Sequence, residues 1–233
     1  MVLHFALILP VLTHLRVKLR AMTNTVMTPD FWLLVMAYLG VIAGAVSGVM
    51  AAQREDMDVV GALAVALITS LGGGTLRDML LGRTPVFWIS EQGYVYTALI
   101  VALLTFVSSR LLRLAARSIV LPDAIGLGIF SIWGAAYSLM SGTSLFIAAL
   151  MGVVTGVFGG VLRDVICNRI PYVFGREATL YATCSFAGAW IYLLLLRYTP
   201  LLPVVVVFLG VIAVVLMRMA AVYFNLRLPH PVK

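Results

Sequence analysis

Two short stretches of the chain are nearly identical: Gly72-Gly73-Gly74-Thr75-Leu76-Arg77-Asp78 and Phe158-Gly159-Gly160-Val161-Leu162-Arg163-Asp164. They lie 86 positions apart (Gly159 against Gly73), and the same offset aligns matching residues on both sides of them. The further matches are Gly40 with Gly126, Gly48 with Gly134, Thr69 with Thr155, Arg83 with Arg169, Pro85 with Pro171 and Glu91 with Glu177. The chain therefore contains a tandem internal repeat.

The composition places this repeat in a lipid bilayer. Hydrophobic residues make up 63% of the chain and charged residues 11%, a balance that is not typical of a soluble domain. A stretch of about 18 or more apolar residues can cross a hydrocarbon core about 30 Å thick. The sequence predicts seven such spans, over residues 31–50, 59–81, 94–111, 122–140, 145–165, 178–196 and 201–222. The expected fold class is all-α, a polytopic membrane protein with seven transmembrane helices.

Each copy of the repeat contains three of these spans. Because three is odd, the second copy must enter the membrane from the side opposite to the first, which makes this an inverted 3+3 repeat with one additional helix. The expected divisions are an N-terminal extension (1–30), a first three-helix repeat (31–118), a second, inverted repeat (119–198), and the seventh helix with a cytoplasmic tail (199–233).

The basic residues lie near the ends of the spans. The net charge is +7, and this placement indicates contact with membrane lipid and excludes nucleic acid as a partner. The more basic side carries Arg54, Arg110, Arg113, Arg117, Arg169, Arg176, Arg227 and Lys233. Since basic loops face the cytoplasm, we expect the C-terminus in the cytoplasm and the N-terminus outside.

The first 21 residues argue for the opposite orientation through Arg16, Lys18 and Arg20. Their order, apolar and then basic, is the reverse of a secretory signal. This segment is either an additional interfacial helix or the product of an early start, since Met22 and Met27 are also plausible first residues.

The glycines of the motif weaken the second and fifth spans. Each costs up to about 1 kcal/mol of helix propensity relative to alanine, so a run of them predicts a kink. A bent helix exposes backbone carbonyls, which suit a dehydrated cation in a water-filled pore. The predicted kink residues are Gly72, Gly73, Gly74, Gly159 and Gly160. Close packing between helices is the alternative use of these glycines.

Residues four positions apart share one face of a helix. The two faces of interest carry Thr69, Gly73 and Arg77 in the second span, and Thr155, Gly159 and Arg163 in the fifth. A hydroxyl, a bare backbone and a charge on one face predict a pore lining.

The ionised residues of the motif lie within the spans. Such a residue costs about 2.5 to 3.5 kcal/mol at the bilayer centre, so it is usually functional or paired. Arg77, Asp78, Arg163 and Asp164 are therefore expected either to gate or select in the pore, or to bind loop backbone and fix the following turn. Because the two helices are expected to be antiparallel, Arg77 should not pair with Asp164.

Asp123 begins the fourth span and has no counterpart in the first copy, where the matching residue is Ala37. It is either an N-cap or a residue of the cytoplasmic mouth.

Enzyme signatures are missing from the sequence. It contains no histidine pair at metal-ligand spacing, no nucleophile elbow and no phosphate-binding loop. Cys167 and Cys184 have no partner at ligand spacing, and we expect inert thiols. No enzyme activity, metal or cofactor is expected.

The doubled Gly-Gly-x-x-Arg-Asp motif, the inverted repeat and the additional seventh helix resemble the prokaryotic branch of the trimeric intracellular cation channel family. The likeness runs from about Phe31 to the end of the seventh span. It implies a homotrimer in a bacterial or archaeal cell (inner) membrane. Each protomer would hold its own hourglass pore around the kinked second and fifth helices, with potassium as the permeant ion.

The motif also transfers the roles of residues. The glycines at 72–74 and 159–160 would be the kinks, with Arg77, Asp78, Arg163 and Asp164 as neighbouring polar groups. Phe158 stands where the first copy has Gly72, which implies a weaker or differently placed bend.

Bacterial relatives are also described as glycine transporters, so an alternating-access carrier of glycine or a similar small solute is the alternative to a channel. A membrane scaffold without transport activity is the third hypothesis. A channel needs a continuous wettable path, whereas a carrier is expected to direct half-helix N-termini at a carboxylate.

Overall fold

The computed structural model describes residues 29–112, 119–175 and 179–227. Most of the predicted extension 1–30 lies outside the described residues, as do Arg16, Lys18, Arg20, Arg113, Arg117, Arg176, Glu177 and Lys233. The chain divides into two units, Met1–Val35 and Met36–Lys233. In the described part of the first unit, the rings of Phe31 and Trp32 meet edge to face at 5.5 Å between centroids. Apart from the first residues of the helix that begins at Pro29, the features described below belong to the second unit.

Seven long helices follow one another: α1 (Pro29–Arg54), α2 (Val59–Leu80), α3 (Gly93–Leu112), α4 (Val120–Met140), α5 (Leu145–Ile166), α6 (Ala182–Tyr198) and α7 (Pro203–Tyr223). A one-turn helix, Phe87–Ser90, separates α2 from α3, and a 3-10 turn, Tyr172–Phe174, separates α5 from α6. The described residues form no strand beyond an isolated bridge between Thr179 and Arg227. The predicted all-helical class is confirmed, and each predicted span overlaps one long helix.

Five of these helices are long and apolar enough to cross a membrane: α1 from Phe31 onward, α2, α4, α5 and α7. The apolar parts of α3 and α6, Gly93–Ser108 and Ala182–Tyr198, are shorter than a typical span. The count of seven crossings therefore stays a prediction, as do the four predicted divisions of the chain.

The repeat extends to the caps and turns of the two motif helices. Asp58 caps α2 by accepting a hydrogen bond from the Gly61 N–H at 2.8 Å, and Ser144 caps α5 by accepting one from Ile147 at 3.3 Å. Residues with a left-handed backbone conformation also match at the offset of 86: Asp56 matches Gly142, and Gly82 matches Asn168. The two copies thus begin and end their central helices alike, although the residues differ.

The two motif helices cross in direct contact. Gly73 lies against the carbonyl oxygen of Thr155 and Gly159 against that of Thr69, so closely that a Cβ at either glycine would overlap the oxygen. From Thr69 to Gly73 along α2, the partners on α5 run backwards from Gly159 to Thr155. The helices are therefore antiparallel and related by a local two-fold axis, as an inverted repeat requires.

The seventh helix packs against α4 and α6, two helices of the second copy. Gly188 of α6 lies against Val214, and Gly128 of α4 lies against Val211 and Val215. Because α7 stands outside the repeat, it adds side chains next to the second motif that have no equivalent in the repeated unit.

Candidate functional site

Arg77 and Asp78, the charged pair of the first motif, are completely enclosed. Arg77 is 0% exposed and Asp78 is 1% exposed. The Nε and Nη2 atoms of Arg77 donate to Asp78 Oδ1 at 2.9 and 2.7 Å, and Asp78 Oδ2 accepts from the Phe87 N–H at 2.8 Å. The aspartate therefore neutralises the arginine and also fixes the backbone after the α2 turn.

Aromatic rings cover the remaining faces of the Arg77 guanidinium. Its Cζ lies 4.0 Å from the ring centroid of Trp133, 4.7 Å from Tyr137 and 5.6 Å from Phe87. The Phe87 ring packs directly on Gly74, where a side chain would displace it. We call Phe87, Trp133 and Tyr137 the aromatic cage. Cation–π attraction and exclusion of water make this end of the crossing dry and closed.

The second motif repeats the charged pair but adds a second carboxylate. Arg163 donates from Nε to Asp164 Oδ1 at 2.9 Å, and from Nη1 to Asp123 Oδ1 and Ser47 Oγ, both at 2.6 Å. Asp164 Oδ2 accepts from the Tyr172 N–H at 2.8 Å, as Asp78 does from Phe87. Arg163 thus links α1, α4 and α5 through polar contacts.

This second site borders a cavity of about 160 Å³, which we call the vestibule. Its polar wall includes Arg54, Asp123, Arg163, Asp164, Arg169 and Arg218. A smaller cavity of about 20 Å³ lies deeper, and Ser47, Thr69, Asp123 and Gly159 are among the residues that line it. Asp123 lines both cavities, so its carboxylate lies between the vestibule and the level of the α2–α5 crossing.

The difference between the two sites comes from residues that do not match across the repeat. Trp133 of the cage corresponds to Ser47 at the offset of 86, and Tyr137 corresponds to Ala51, which lines the vestibule. Asp123 corresponds to Ala37, a buried alanine. At these matched positions, aromatic rings thus face the first arginine, whereas small or acidic residues face the second.

The α2 and α5 helices run without interruption through their glycines. A complete break is therefore absent, while the predicted bend stays a prediction. Gly73 and Gly159 allow the two helices to cross in close contact, which is the packing role that the sequence offered as the alternative to a kink. Gly72 lies against the side chain of Leu162. Gly160 lies near the hydroxyl of Tyr181 and the Arg163 guanidinium. The hydroxyls of Thr69 and Thr155 donate to their own helices, at Val65 and Met151.

Two predictions about single residues can be compared with the structure. Arg77 pairs with Asp78 and lies apart from Asp164, as the antiparallel arrangement requires. The N-cap interpretation of Asp123 is wrong: Ile119 occupies the N-cap position of α4, without a capping hydrogen bond from its side chain, and Asp123 lies in the first turn. Its carboxylate binds Arg163 instead because the second copy brings this arginine next to the start of α4.

Sequence reasoning missed Arg218 of α7. It is 3% exposed, and its Nη1 donates to Thr179 Oγ1 at 2.5 Å and to the Leu180 carbonyl at 3.1 Å. Its guanidinium lies 4.9 Å from the ring centroids of both Tyr172 and Tyr181. The available signal was a charge inside the predicted span 201–222, since such a residue is usually functional.

Tyr172 and Cys167 line the vestibule, and the pKa values of both side chains are shifted by their surroundings. Burial raises the pKa of the Tyr172 hydroxyl, but hydrogen bonding with Thr179 and the nearby Arg218 charge outweigh it, so the net pKa is lowered. Burial raises the pKa of the Cys167 thiol, which is consistent with an unreactive cysteine.

A family model, related bacterial sequences and solved structures all match this chain. A family model described as "Glycine transporter" matches twice, at residues 34–110 and 120–197, once in each copy of the repeat. A UPF0126 membrane protein of Vibrio cholerae is 39% identical over 196 residues, which cover 82% of this chain and 79% of the relative. The UPF0126 inner membrane protein YadS of Escherichia coli is 34% identical over 201 residues, covering 85% and 94%.

The solved structure of a trimeric intracellular cation channel orthologue from Rhodobacter sphaeroides superposes with a TM-score of 0.77. It is 34% identical and covers 83% of this chain and 98% of its own. Both the doubled family match and this fold agree with the predicted resemblance. The chain is a multi-pass membrane protein that belongs to the family whose model is described as glycine transporter, and it is a prokaryotic member of the family named after the trimeric intracellular cation channels.

Proposed function

We propose that the protein is a cation channel that passes potassium through a pore within each protomer, lined by α2 and α5. The observation that supports it most strongly is the succession of two cavities from the vestibule to the α2–α5 crossing. The carboxylate of Asp123 borders both of them. Two carboxylates, Asp123 and Asp164, share the single charge of Arg163, and the net negative charge of this group favours cations beside a narrow polar passage.

The crossing supports potassium as the permeant ion. At that level, the carbonyl oxygens of Thr69 and Thr155 each face a glycine that has no side chain. Carbonyl oxygens that replace a hydration shell are typical ligands of potassium in channels. In this proposal the two helices separate slightly at the glycines, and these oxygens then face the ion.

The aromatic cage would close the opposite mouth in the state described here. Arg77 is held by Asp78 and three rings, so a cation could pass only after this group has moved. With the predicted orientation, the cage faces outward and the vestibule faces the cytoplasm. A homotrimer surrounded by membrane lipid would hold three such pores.

Recordings from purified protein in planar bilayers test the proposal. Under a potassium chloride gradient we expect unitary currents that reverse near the potassium equilibrium potential. Asp123→Asn should lower potassium conductance and cation preference. Asp56→Asn, which removes an exposed charge at a left-handed turn position that asparagine tolerates, is the matched control. Silent membranes, or currents carried by chloride, would refute the channel.

An alternating-access carrier of glycine is the second candidate. The vestibule presents carboxylates at Asp123 and Asp164 and guanidinium groups at Arg54 and Arg218, a combination that suits a zwitterion. Proteoliposomes loaded with glycine would then show saturable counterflow of labelled glycine without unitary currents. If neither currents nor uptake appear, a scaffold without transport activity is favoured.

A further inference from the structure

Arg218 brings a positive charge into the vestibule wall from α7, the helix that stands outside the repeat. It is 3% exposed and has no carboxylate partner among the described residues. Its Nη1 donates to the Thr179 hydroxyl and the Leu180 carbonyl, both neutral groups, and its Nε has no acceptor in the described ranges. The rings of Tyr172 and Tyr181 attract the guanidinium without cancelling its charge.

Tyr181 contacts both this charge and the carboxylate that borders the two cavities. Its ring centroid lies 4.9 Å from the Cζ atom of Arg218, and its hydroxyl lies beside Asp123 and Gly160. Only the length of one tyrosine side chain therefore separates the guanidinium of Arg218 from the Asp123 carboxylate. At such a distance the positive charge opposes the attraction of Asp123 for a cation.

The charges around the vestibule also do not balance. Ion pairs join Arg163 to two aspartates, and Arg169 to Glu55. Arg54 and Arg218 line the same cavity, and neither has an ion pair in the part of the chain that the structure describes. Four arginines thus face three carboxylates, which gives the described wall an excess positive charge at Arg54 and Arg218.

We propose that Arg218 forms an electrostatic barrier that limits the entry of cations from the vestibule. A charge in the wall of a narrow cavity changes the local concentration of ions, and a positive one lowers that of potassium. The barrier lies at one mouth only, because Asp78 neutralises Arg77 at the other. Its effect on current rests on the proposed channel function, whereas the sign of the vestibule potential does not. The two are therefore measured separately.

The first experiment measures the sign of the vestibule potential in detergent, without ion flux. Ile170→Cys places a thiol at a position that lines the vestibule and is 78% exposed. Cys167→Ala and Cys184→Ala remove the two native thiols, which are buried. The modification rate with an anionic methanethiosulfonate reagent is divided by the rate with a cationic one, and the ratio is normalised to a free thiol. At low salt we expect a ratio of about 3 to 10, because unpaired charges in a small cavity act on the reagent at short range.

Substitutions in this cysteine background assign the potential to Arg218. Arg218→Gln keeps an amide donor for the Leu180 carbonyl and should lower the ratio to about one or less. Arg218→Lys keeps the charge and should keep the ratio, as should Arg197→Gln, which removes an exposed arginine outside the vestibule. If Arg218→Gln fails to fold, Arg54→Gln should lower the ratio by about twofold, since Arg54 is exposed and partly screened. A ratio of one before these changes, as a neutralising Glu177 from outside the described residues would give, overturns the proposal. So does an unchanged ratio in Arg218→Gln.

Planar bilayers measure the consequence for current. In about 0.01 M potassium chloride, where charges act over roughly 30 Å, Arg218→Gln should raise the unitary conductance about two- to fivefold. In about 1 M salt, where that range is about 3 Å, it should conduct like the wild type. The current–voltage curve of the wild type should be asymmetric at low salt, and that of Arg218→Gln nearly symmetric. Equal conductance at low salt overturns the barrier and leaves the channel standing. Silent membranes refute the channel and the barrier together, and the modification ratio then still decides the sign of the vestibule potential.

Discussion

The two copies of the Leu-Arg-Asp motif have the same sequence and different surroundings. Around Arg77, three aromatic rings and a single aspartate exclude water. Around Arg163, two aspartates and a serine leave the site beside the vestibule. The motif therefore fixes the arginine and its neighbouring aspartate, whereas residues on the facing helices decide whether that end is closed or open.

The largest difference should appear when each arginine loses its neighbouring aspartate. Asp78→Asn leaves Arg77 buried without a counter-charge and should lower the free energy of unfolding by about 3 to 5 kcal/mol. Asp164→Asn should cost about 1.5 to 3 kcal/mol, because Asp123 still neutralises Arg163. Denaturant titration in detergent micelles measures both. Equal losses would show that the surroundings do not distinguish the two pairs.

The helix crossing should behave in the opposite way, with equal effects in the two copies. Gly73→Ala and Gly159→Ala each force a methyl group against a backbone oxygen and should destabilise by about 1 to 3 kcal/mol. Gly126→Ala is the control, because its Cβ would make ordinary contacts of 3.8 and 3.9 Å with α1. The same titration applies. A harmless alanine at either crossing position would contradict the described contact.

Changing one residue of the cage should make the closed site resemble the open one. Trp133→Ser places beside Arg77 the residue type that Ser47 provides beside Arg163, and it weakens the contacts that hold Arg77. We expect the open probability in planar bilayers to rise about tenfold, equivalent to about 1.4 kcal/mol. Trp133→Phe keeps a ring and should change it less. An unchanged open probability in the serine variant would show that the aromatic cage does not control gating.

The smallest effect is expected at the exposed pair between Glu55 and Arg169, whose side chains are 29% and 50% exposed. The residue of the first copy that matches Arg169 is Arg83. The Cζ atom of Arg83 lies 4.0 Å from the ring centroid of Tyr137 instead of beside a carboxylate. Glu55→Gln should change the free energy of unfolding by about 0 to 1 kcal/mol because solvent screens the pair. Arg169→Gln should match it in the same titration. A loss above about 2 kcal/mol would assign this pair a structural role.

The features that could be predicted from the sequence are those that the repeat and local periodicity determine. The offset of 86 placed the two motif helices, their antiparallel order and the separation of Arg77 from Asp164. The helical class followed from apolar spans and their breakers. These features depend on residues near each other in the chain or matched between the copies.

The remaining features depend on which side chains of other helices lie opposite. The facing positions of Trp133 and Ser47 emerge only after α4 and α1 have packed against the motif helices. The wrong N-cap assignment of Asp123 has the same cause, since a nearby arginine from α5 competes for its carboxylate. Arg218 was missed because α7 has no second copy with which it could be compared.

The unequal ends also explain why a single chain carries both halves. If one three-helix unit assembled with a second, identical unit in a symmetric dimer, any residue at one end would recur at the other. Tryptophan and serine could not then occupy the two equivalent positions, 133 and 47. Gene fusion removes this constraint, because each half can change its own wall while the shared glycine contact is preserved.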